Sequence, residues 1–390
     1  MTKSLLRRDF NLTITLPDDR LCPPVPVRYN YVYWLQRLLD TTSANFADKY
    51  DPDRTVLGLD IGTGASAIYP LIACSLRPRW TMYATDIDSH SLGYAEQNIE
   101  RNGLDSRIRL RRSTLDAPLL PLDSLGVEGL DMVMCNPPFY ASRDEMTASQ
   151  ADKVRPPSAV CTGADVEMIC QGGDAGFVLR MVEESLRLRT RVQWYSSMLG
   201  KLGSLHVVIS RLKEVGVTNW AVTSLRAGKK TRRWAVAWSF GPYRPSNDVA
   251  RGAEVAQQVL MPFPTIQTIK VDGLNTEKAA EKVNDIVAPL RLRWHWQQDT
   301  YTGVGVAKEN VWSRSARRKW KRAHETDHDG DDHHSAQGGQ QTKKADDVVL
   351  AFRISVTNDG EIHVRWLQGH DSVIFESFCG MLQRAMREVG

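Results

Sequence analysis

The chain has 390 residues, 42% of them hydrophobic and 25% charged, with a formal net charge of only +4; this is the composition of an ordinary globular protein long enough for two domains. No stretch is long and apolar enough to span a bilayer, and the first ten residues lack the apolar core and cleavage site of a secretory signal. A charge of +4 excludes a uniform polyanion-binding field and leaves nucleic-acid contact to local basic clusters. Cys22, Cys74, Cys135, Cys161, Cys170 and Cys379 are scattered with no C-x-x-C pair, which predicts reduced thiols and no zinc site.

In chain order, residues 55–66 read strand, glycine turn, helix, with Asp60 near the strand end, Gly62 and Gly64 in the turn and Ser66 opening the helix. Glycines let a backbone approach a ligand closely, and the helix N-terminus beyond them offers free N–H groups. The turn lacks the third glycine of a dinucleotide fingerprint, and no Gly-Lys-Ser/Thr follows. It therefore suits a ligand carrying a nucleoside and a carboxylate better than one carrying a pyrophosphate. Residues 81–86 read as the next strand and end at Asp86, a carboxylate placed to grip two ribose hydroxyls; Asp88 is an alternative, as the cap of the following helix. Residues 89–102 read as that helix, 107–111 as a strand and 113–129 as a loop.

The apolar run 130–135 reads as a buried strand that ends in Asn136-Pro137-Pro138-Phe139. The lone pair of an exocyclic amine is delocalised into its ring, so methylating it is hard. The Asn136 side-chain oxygen and the Pro137 carbonyl together supply two acceptors for one NH2 group, drawing it toward tetrahedral geometry. Proline stiffens the loop, and Phe139 offers a face for a base to stack on. Strand, glycine turn, helix, strand and acid, followed by a strand with this tetrapeptide, is the order of an S-adenosylmethionine-dependent methyltransferase. A nucleotide-binding dehydrogenase is the main alternative.

Residues 140–176 read as a long polar loop, expected to be a lid, a binding segment or disordered. A helix over 175–189, a strand over 192–199, a helix over 202–215 and a strand over 234–240 complete an α/β, class I Rossmann-like seven-stranded sheet near residue 241. Residues 241–248 read as a linker, dividing the chain into a methyltransferase domain, 1–245, and a smaller C-terminal α+β domain, 246–390. The second domain is expected to hold a strand over 265–271 and a helix over 276–290 capped by Asn275. A strand over 291–298 carries Trp294 and Trp296, a hairpin turns over Asn358-Asp359-Gly360, and a helix fills 372–389. The polar tract 323–346 is expected to be disordered, and its histidines and aspartates are assigned no metal.

With these motifs in place, the chain resembles the methyltransferase-like protein 16 family, the N6-adenosine methyltransferases of U6 small nuclear RNA, whose bacterial relatives methylate an adenine of large-subunit ribosomal RNA. The resemblance covers about residues 3–240 and runs through Val25-Pro26-Val27-Arg28-Tyr29-Asn30, the glycine turn, the tetrapeptide, Arg155-Pro156-Pro157, Trp194-Tyr195-Ser196-Ser197 and Arg233-Trp234-Ala235-Val236. It implies a catalytic group of Asn136, Pro137, Pro138 and Phe139. It also implies S-adenosylmethionine contacts at Arg28, which would meet the methionine carboxylate, and at Asp60, Gly62, Gly64, Ser66, Asp86, Thr114 and Asn136. The basic run Lys229, Lys230, Arg232 and Arg233 is expected to meet RNA. So are Arg314, Arg317, Arg318, Lys319, Lys321 and Arg322, which sit beside Trp312 and Trp320; a localisation signal or an exposed charge run is the other reading of that segment. The expected function is methylation of an unpaired adenosine in structured RNA, U6 small nuclear RNA above all, in the nucleus and with no membrane partner. The alternatives are a ribosomal RNA adenine or guanine methyltransferase, a protein-glutamine N5-methyltransferase, and an RNA-binding protein that senses S-adenosylmethionine. Two departures from the family stand out: the chain starts without the basic helical segment its members carry first, and Gln171 and Asp174 stand where animal relatives have glutamates.

Overall fold

The computed structural model describes residues 2–151, 164–227, 231–253, 258–271, 274–313, 315–316 and 348–388. Several expectations fall outside them: the Arg155-Pro156-Pro157 motif, Cys161, Lys229, Lys230, Arg314, Arg317, Arg318, Lys319, Lys321, Arg322 and the tract 323–346. The chain forms two compact units, Met1–Gly241 with Asp248–Pro262, and Pro242–Asn247 with Phe263–Gly390. No helix among the described residues is long and apolar enough to cross a membrane.

The elements of the first unit are α1 (Thr2–Phe10), α2 (Val25–Thr41), β1 (Val56–Ile61), α3 (Ile68–Leu76), β2 (Trp80–Asp86), α4 (Ser89–Arg101), β3 (Ile108–Arg112), α5 (Leu122–Leu125), β4 (Leu130–Cys135), α6 (Arg143–Ala151), α7 (Asp165–Met168), α8 (Gly173–Leu188), β5 (Val192–Leu199), α9 (Leu202–Glu214), β6 (Asn219–Ala227) and β7 (Thr231–Ser239). After α10 (Asn247–Ala250), the two-residue β8 (Arg251–Gly252) closes the set. The strands form one sheet in the order β3-β2-β1-β4-β5-β7-β6-β8. It is parallel from β3 through β5 and antiparallel where β7 joins β5 and β6. Strand β1 runs between β2 and β4, so the order reverses there, and the crevice beyond their carboxyl ends is where such sheets bind ligands.

Both faces of the sheet are covered, which is why β1 and β4 are nearly continuous apolar runs. Leu6, Tyr31, Leu35 and Leu71 pack on one face, and Val178, Met181, Leu205 and Ile209 on the other. Strand β6 was not foreseen. It is sealed on one side by Trp220, whose indole donates to the Leu260 carbonyl at 3.1 Å, and is read poorly from sequence because Ala221 and Val222 are buried consecutively instead of alternating. Of the loop expected over 140–176, residues 140–151 and 164–176 are described. It carries α6 and α7, and Tyr140 exchanges backbone hydrogen bonds with Met168 and Cys170 at 3.0 Å each.

The second unit is a five-stranded antiparallel sheet, β10-β11-β12-β13-β9, built from β9 (Ile266–Ile269), β10 (Arg293–Gln297), β11 (Thr302–Ala307), β12 (Leu350–Val356) and β13 (Ile362–Gln368). Two helices, α11 (Thr276–Val287) and α12 (Ser372–Arg387), share its core with Phe352, Ile354 and Trp366. Asn275 caps α11, accepting from the Lys278 N–H at 2.9 Å. Strand β11 was missed because of its glycines. Trp294, Trp296 and Phe352 lie so close over Gly303 and Gly305 that a Cβ at either would fall within 2.2 Å of a ring carbon. Trp312, expected to stack on nucleic acid, is 1% exposed and sits edge-on against Phe378 at 5.2 Å, so it is a core residue.

The segment expected to be a linker is built into the second unit. Arg244 donates its backbone N–H to the Leu367 carbonyl at 2.9 Å, Gly369 donates to the Pro242 carbonyl at 3.0 Å, and the Arg244 guanidinium lies 4.3 Å over Trp366 while donating to the Gly369 carbonyl at 2.8 Å. Burial lowers this guanidinium to a pKa of about 10.

Candidate active site

One cleft of about 1090 Å3, measured out to its open mouth, lies at the carboxyl ends of β1, β2 and β4. Its floor is the glycine turn. Gly62 and Gly64 have φ of +72° and +63°, a region that costs other residues about 1–2 kcal/mol. A Cβ added at Gly62 would meet nothing within 4 Å, so the turn's open side faces the cleft. The Gly62 and Thr63 N–H groups both donate to the Thr85 carbonyl, at 2.9 and 3.0 Å, and tie the turn to the end of β2.

Asp86 completes that tie. Its carboxylate accepts the Gly64 N–H at 2.8 Å and the Asp88 N–H at 2.9 Å, and it lines the cleft. Burial pushes its pKa up, while the N–H groups of Asp88, Gly64 and Ile87 hold it down. Each carboxylate oxygen retains lone-pair capacity beyond these bonds. Asp88 is the cap of α4: it accepts from His90 and Ser91, and hydrogen bonds from Ser91 and Arg20 outweigh burial to hold it at about 2.

The tetrapeptide forms the facing wall, with Asn136, Pro137 and Pro138 on the cleft. The end of β4 is fixed from α2 by a relay. The Cys135 N–H donates to the Tyr31 hydroxyl at 3.5 Å, and Tyr31 lies 2.8 Å from Ser196 Oγ. Ser196 spends its proton on the Val133 carbonyl at 2.7 Å, so Tyr31 is the donor to Ser196. Arg28, in the first turn of α2 and 5% exposed, lines the cleft and donates to Asn136 Oδ1 at 3.4 Å. That contact turns the amide so that its oxygen, the acceptor the chemistry needs, is held in place. The same guanidinium lies 5.4 Å over Tyr69, and its Nε is buried without a partner.

Among the expected cofactor residues, Arg28, Gly62, Gly64, Ser66, Asp86, Thr114 and Asn136 converge on this cleft. Asp60 does not reach its wall. It is fully buried beneath the turn, neither carboxylate oxygen has a well-formed hydrogen bond, and burial pushes it up to about 7 against the pull of the nearby Thr63 hydroxyl and of Arg28. Phe139 is also off the cleft wall. Its ring lies under the Arg233 guanidinium at 5.1 Å and packs on Gly200, where a Cβ would come within 2.9 Å of it. Burial, then repulsion from Arg28, lowers the Arg233 pKa. Arg232 and Arg233, expected just before the last strand, lie within β7.

Other cleft residues escaped the sequence reading. Glu167 of α7 lines the cleft and accepts the Leu21 and Ala164 N–H groups, at 3.2 and 3.0 Å, pinning α7 to the segment before α2. Burial raises its pKa. From α8, Phe177 and Arg180 reach the cleft, and Arg180 holds the loop after β3 by donating to the Leu115 and Ala117 carbonyls at 3.1 and 2.5 Å. Leu115, beside them, is 74% exposed. At the base of α8, Asp174 is buried and accepts from Gly200 N and Ser204 Oγ at 2.6 Å each, joining α8 to the turn after β5. Glu167 and Asp174 carried a signal, as carboxylates within a segment already suspected of being a lid.

The cradle suits a nucleoside with a zwitterionic tail. It offers two positive-φ glycines, with open space above Gly62, a carboxylate at the ribose position, apolar Ile87, Leu115 and Phe177, and a buried guanidinium with an unused N–H.

Residues 1–242 match the model of a family described as RNA methyltransferase. Over 386 residues, 99% of this chain and 92% of the relative, the chain is 33% identical to the U6 small nuclear RNA (adenine-(43)-N(6))-methyltransferase of Schizosaccharomyces pombe. Over 247 residues it is 40% identical to the RNA N(6)-adenosine-methyltransferase METTL16 of Homo sapiens, matching 62% of this chain but 42% of that protein, so the chain spans less than half the length of this relative. Among solved structures, the hMettl16 catalytic domain in complex with MAT2A 3′UTR hairpin 1 superposes with a TM-score of 0.53 at 38% identity, covering 61% of this chain and 78% of that one.

Proposed function

The chain belongs to the RNA methyltransferase family whose model it matches, and from that premise we propose that it transfers a methyl group from S-adenosylmethionine to N6 of an unpaired adenosine in structured RNA, U6 small nuclear RNA first among its substrates. The observation that carries this reading is the convergence of Asp86, the glycine turn and Asn136-Pro137-Pro138 on one cleft, with Arg28 fixing the Asn136 oxygen. A U6 substrate goes with residence in the nucleus.

When bound, S-adenosylmethionine supplies a sulfonium methyl that is already electrophilic. The protein's work is therefore positioning and polarisation. Asp86 holds the ribose hydroxyls of the donor, the glycine turn and Ser66 border its tail, Thr114 borders its nucleoside, and Arg28 meets its carboxylate. Asn136 Oδ1 and the Pro137 carbonyl accept the two amine hydrogens of the target adenine and leave the nitrogen lone pair free to attack. Pro138 keeps that loop rigid, and Phe139 offers its ring to the base once Arg233 shifts from it. An adenine must leave its stack to reach this wall, which favours loops and bulges over duplex. Arg232 and Arg233, with Lys229 and Lys230, meet phosphates on the acceptor side. The second unit serves as an RNA-binding accessory, and the run from Arg314 to Arg322 carries its charge.

The test is transfer of labelled methyl from S-adenosylmethionine to a U6 hairpin bearing the ACAGA stretch, against the same hairpin with its target adenine replaced. Label on the intact hairpin alone is expected. Label on both, or only on ribosomal RNA or a release factor, would overturn the adenine N6 assignment to U6.

A further inference from the structure

Helix α2 has two working faces. Arg28 and Tyr31 point inward to Asn136 and the end of β4. Tyr29 and Tyr33, one helical turn apart, lie on the outer side of α2, Tyr29 half-buried against the core and Tyr33 exposed, and neither has a part in the chemistry above. Their rings are 5.9 Å apart and nearly parallel, at 18°, and Tyr33 is 44% exposed. Phe10, the last residue of α1, backs the pair from 5.6 Å. Lys3 and Arg7 are exposed on α1 and have no ion pair among the described residues. The next residue of α2, Asn30, donates to the Arg226 carbonyl at 3.5 Å, linking this face to the end of β6, just before the basic run.

We propose that Tyr29 and Tyr33, backed by Phe10 of α1, form a stacking platform for unpaired nucleotides of the substrate RNA that flank the methylated adenosine, with Lys3 and Arg7 of α1 supplying charge along the same helix. The proposal rests on RNA being the substrate. Parallel aromatic rings with an open face accept any base, and exposed cations on the adjoining helix α1 suit the linking phosphates. Of the three rings only Tyr33 is exposed, Tyr29 and Phe10 being half-buried, which suits one or two stacked bases better than a broad protein interface. The fold also favours RNA over protein here, because the same helix that holds Asn136 from its inner side carries the platform on its outer side. A strand leaving the acceptor wall toward the end of β6 therefore passes it.

The experiment compares the full chain's affinity, at fixed salt, for a U6 hairpin with unpaired flanks and for the same hairpin trimmed to its stem and loop. The flanked RNA is expected to bind about tenfold more tightly, the value of one or two stacked bases. Y29L/Y33L, which keeps apolar bulk against Phe10, is expected to erase that advantage, and Y29F/Y33F to retain it. Should the double leucine variant fold poorly, Y33L, altering the more exposed ring, is expected to erase most of it. Arg7→Ala is expected to lower the slope of log affinity against log salt by about one, whereas the leucine variants leave that slope in place. The proposal is overturned if the parent does not favour the flanked RNA, or if Y29L/Y33L and Y33L discriminate as the parent does. Methyl transfer measured alongside separates the two readings. A preference for flanks without methylation of either RNA removes the catalytic assignment and leaves the platform. Methylation without that preference does the reverse.

Discussion

Asn136 and Asp60 lie on opposite sides of the same turn and illustrate two uses of burial. Asn136 presents an oxygen that Arg28 orients. Replacing it with alanine removes one of two acceptors for the amine, and losses of about 10^2–10^3 in kcat are typical when one preorganised partner of a reacting group goes. Asn136→Ala is therefore expected to lose turnover on U6 RNA while binding the RNA nearly as before, which single-turnover rates and anisotropy on the same preparation will show. Asp60 is a carboxyl with no well-formed hydrogen bond and a pKa pushed up to about 7. Below pH ~4 it is neutral in both folded and unfolded chains and costs nothing. Between there and pH 7 the unfolded chain ionises while the folded one holds its proton, so its contribution to stability falls as pH rises, then levels off. Asp60→Asn does not titrate. Its melting temperature relative to the parent should climb by several degrees from pH 4.5 to 7 and stay flat to 8.5; a constant difference across that range would mean that Asp60 is ionised when folded throughout.

The glycine turn, β2 and β4 were legible in the sequence because each ends in a residue type with its own chemistry. Two glycines, an aspartate and an Asn-Pro-Pro step fall at successive strand ends, and the parallel order then brings those ends together without further information. The turn's conformation can be tested directly. Gly62→Ala places its methyl where nothing lies within 4 Å, so the fold should lose only about 1–2 kcal/mol from the positive φ, while donor affinity measured by calorimetry should fall at least tenfold because the methyl occupies the cradle. Phe177 and Arg180 were not legible and Glu167 only weakly so, since they reach the cleft through the packing of α7 and α8, and a glutamate on a short helix or an arginine on an amphipathic one is ordinarily a solvated residue. Strand β6 was hidden by consecutive burial at Ala221 and Val222, and β11 by glycines that exist to admit Trp294, Trp296 and Phe352. The charge run after Trp312 shows the opposite hazard: the tryptophan that made it look like a stacking surface belongs to the core of its unit.

The chain visits the two units alternately instead of finishing one before the next. Residues 242–247 contribute to the second, and 248–262 return to the first. That return is substantial: Val249 and Leu260 are buried, Trp34 donates to the Val249 carbonyl at 2.9 Å, and Trp220 to that of Leu260. A chain cut after residue 245 should therefore be less stable than one cut after 262 by several kcal/mol, given ~1.5–3 kcal/mol for each buried valine or leucine and about 1 for each hydrogen bond. Denaturant midpoints of the two truncations measure this, and equal midpoints would mean that the returning segment contributes nothing.

The same threading bears on how such a gene can change. Two units joined by a single crossing can be exchanged or lost at one breakpoint, with each half inherited whole. Here any single breakpoint between 242 and 262 leaves one unit short of its own residues. Viable recombinants must carry the returning segment along with the methyltransferase sheet, so the two units are expected to be inherited together even where their surfaces diverge at different rates.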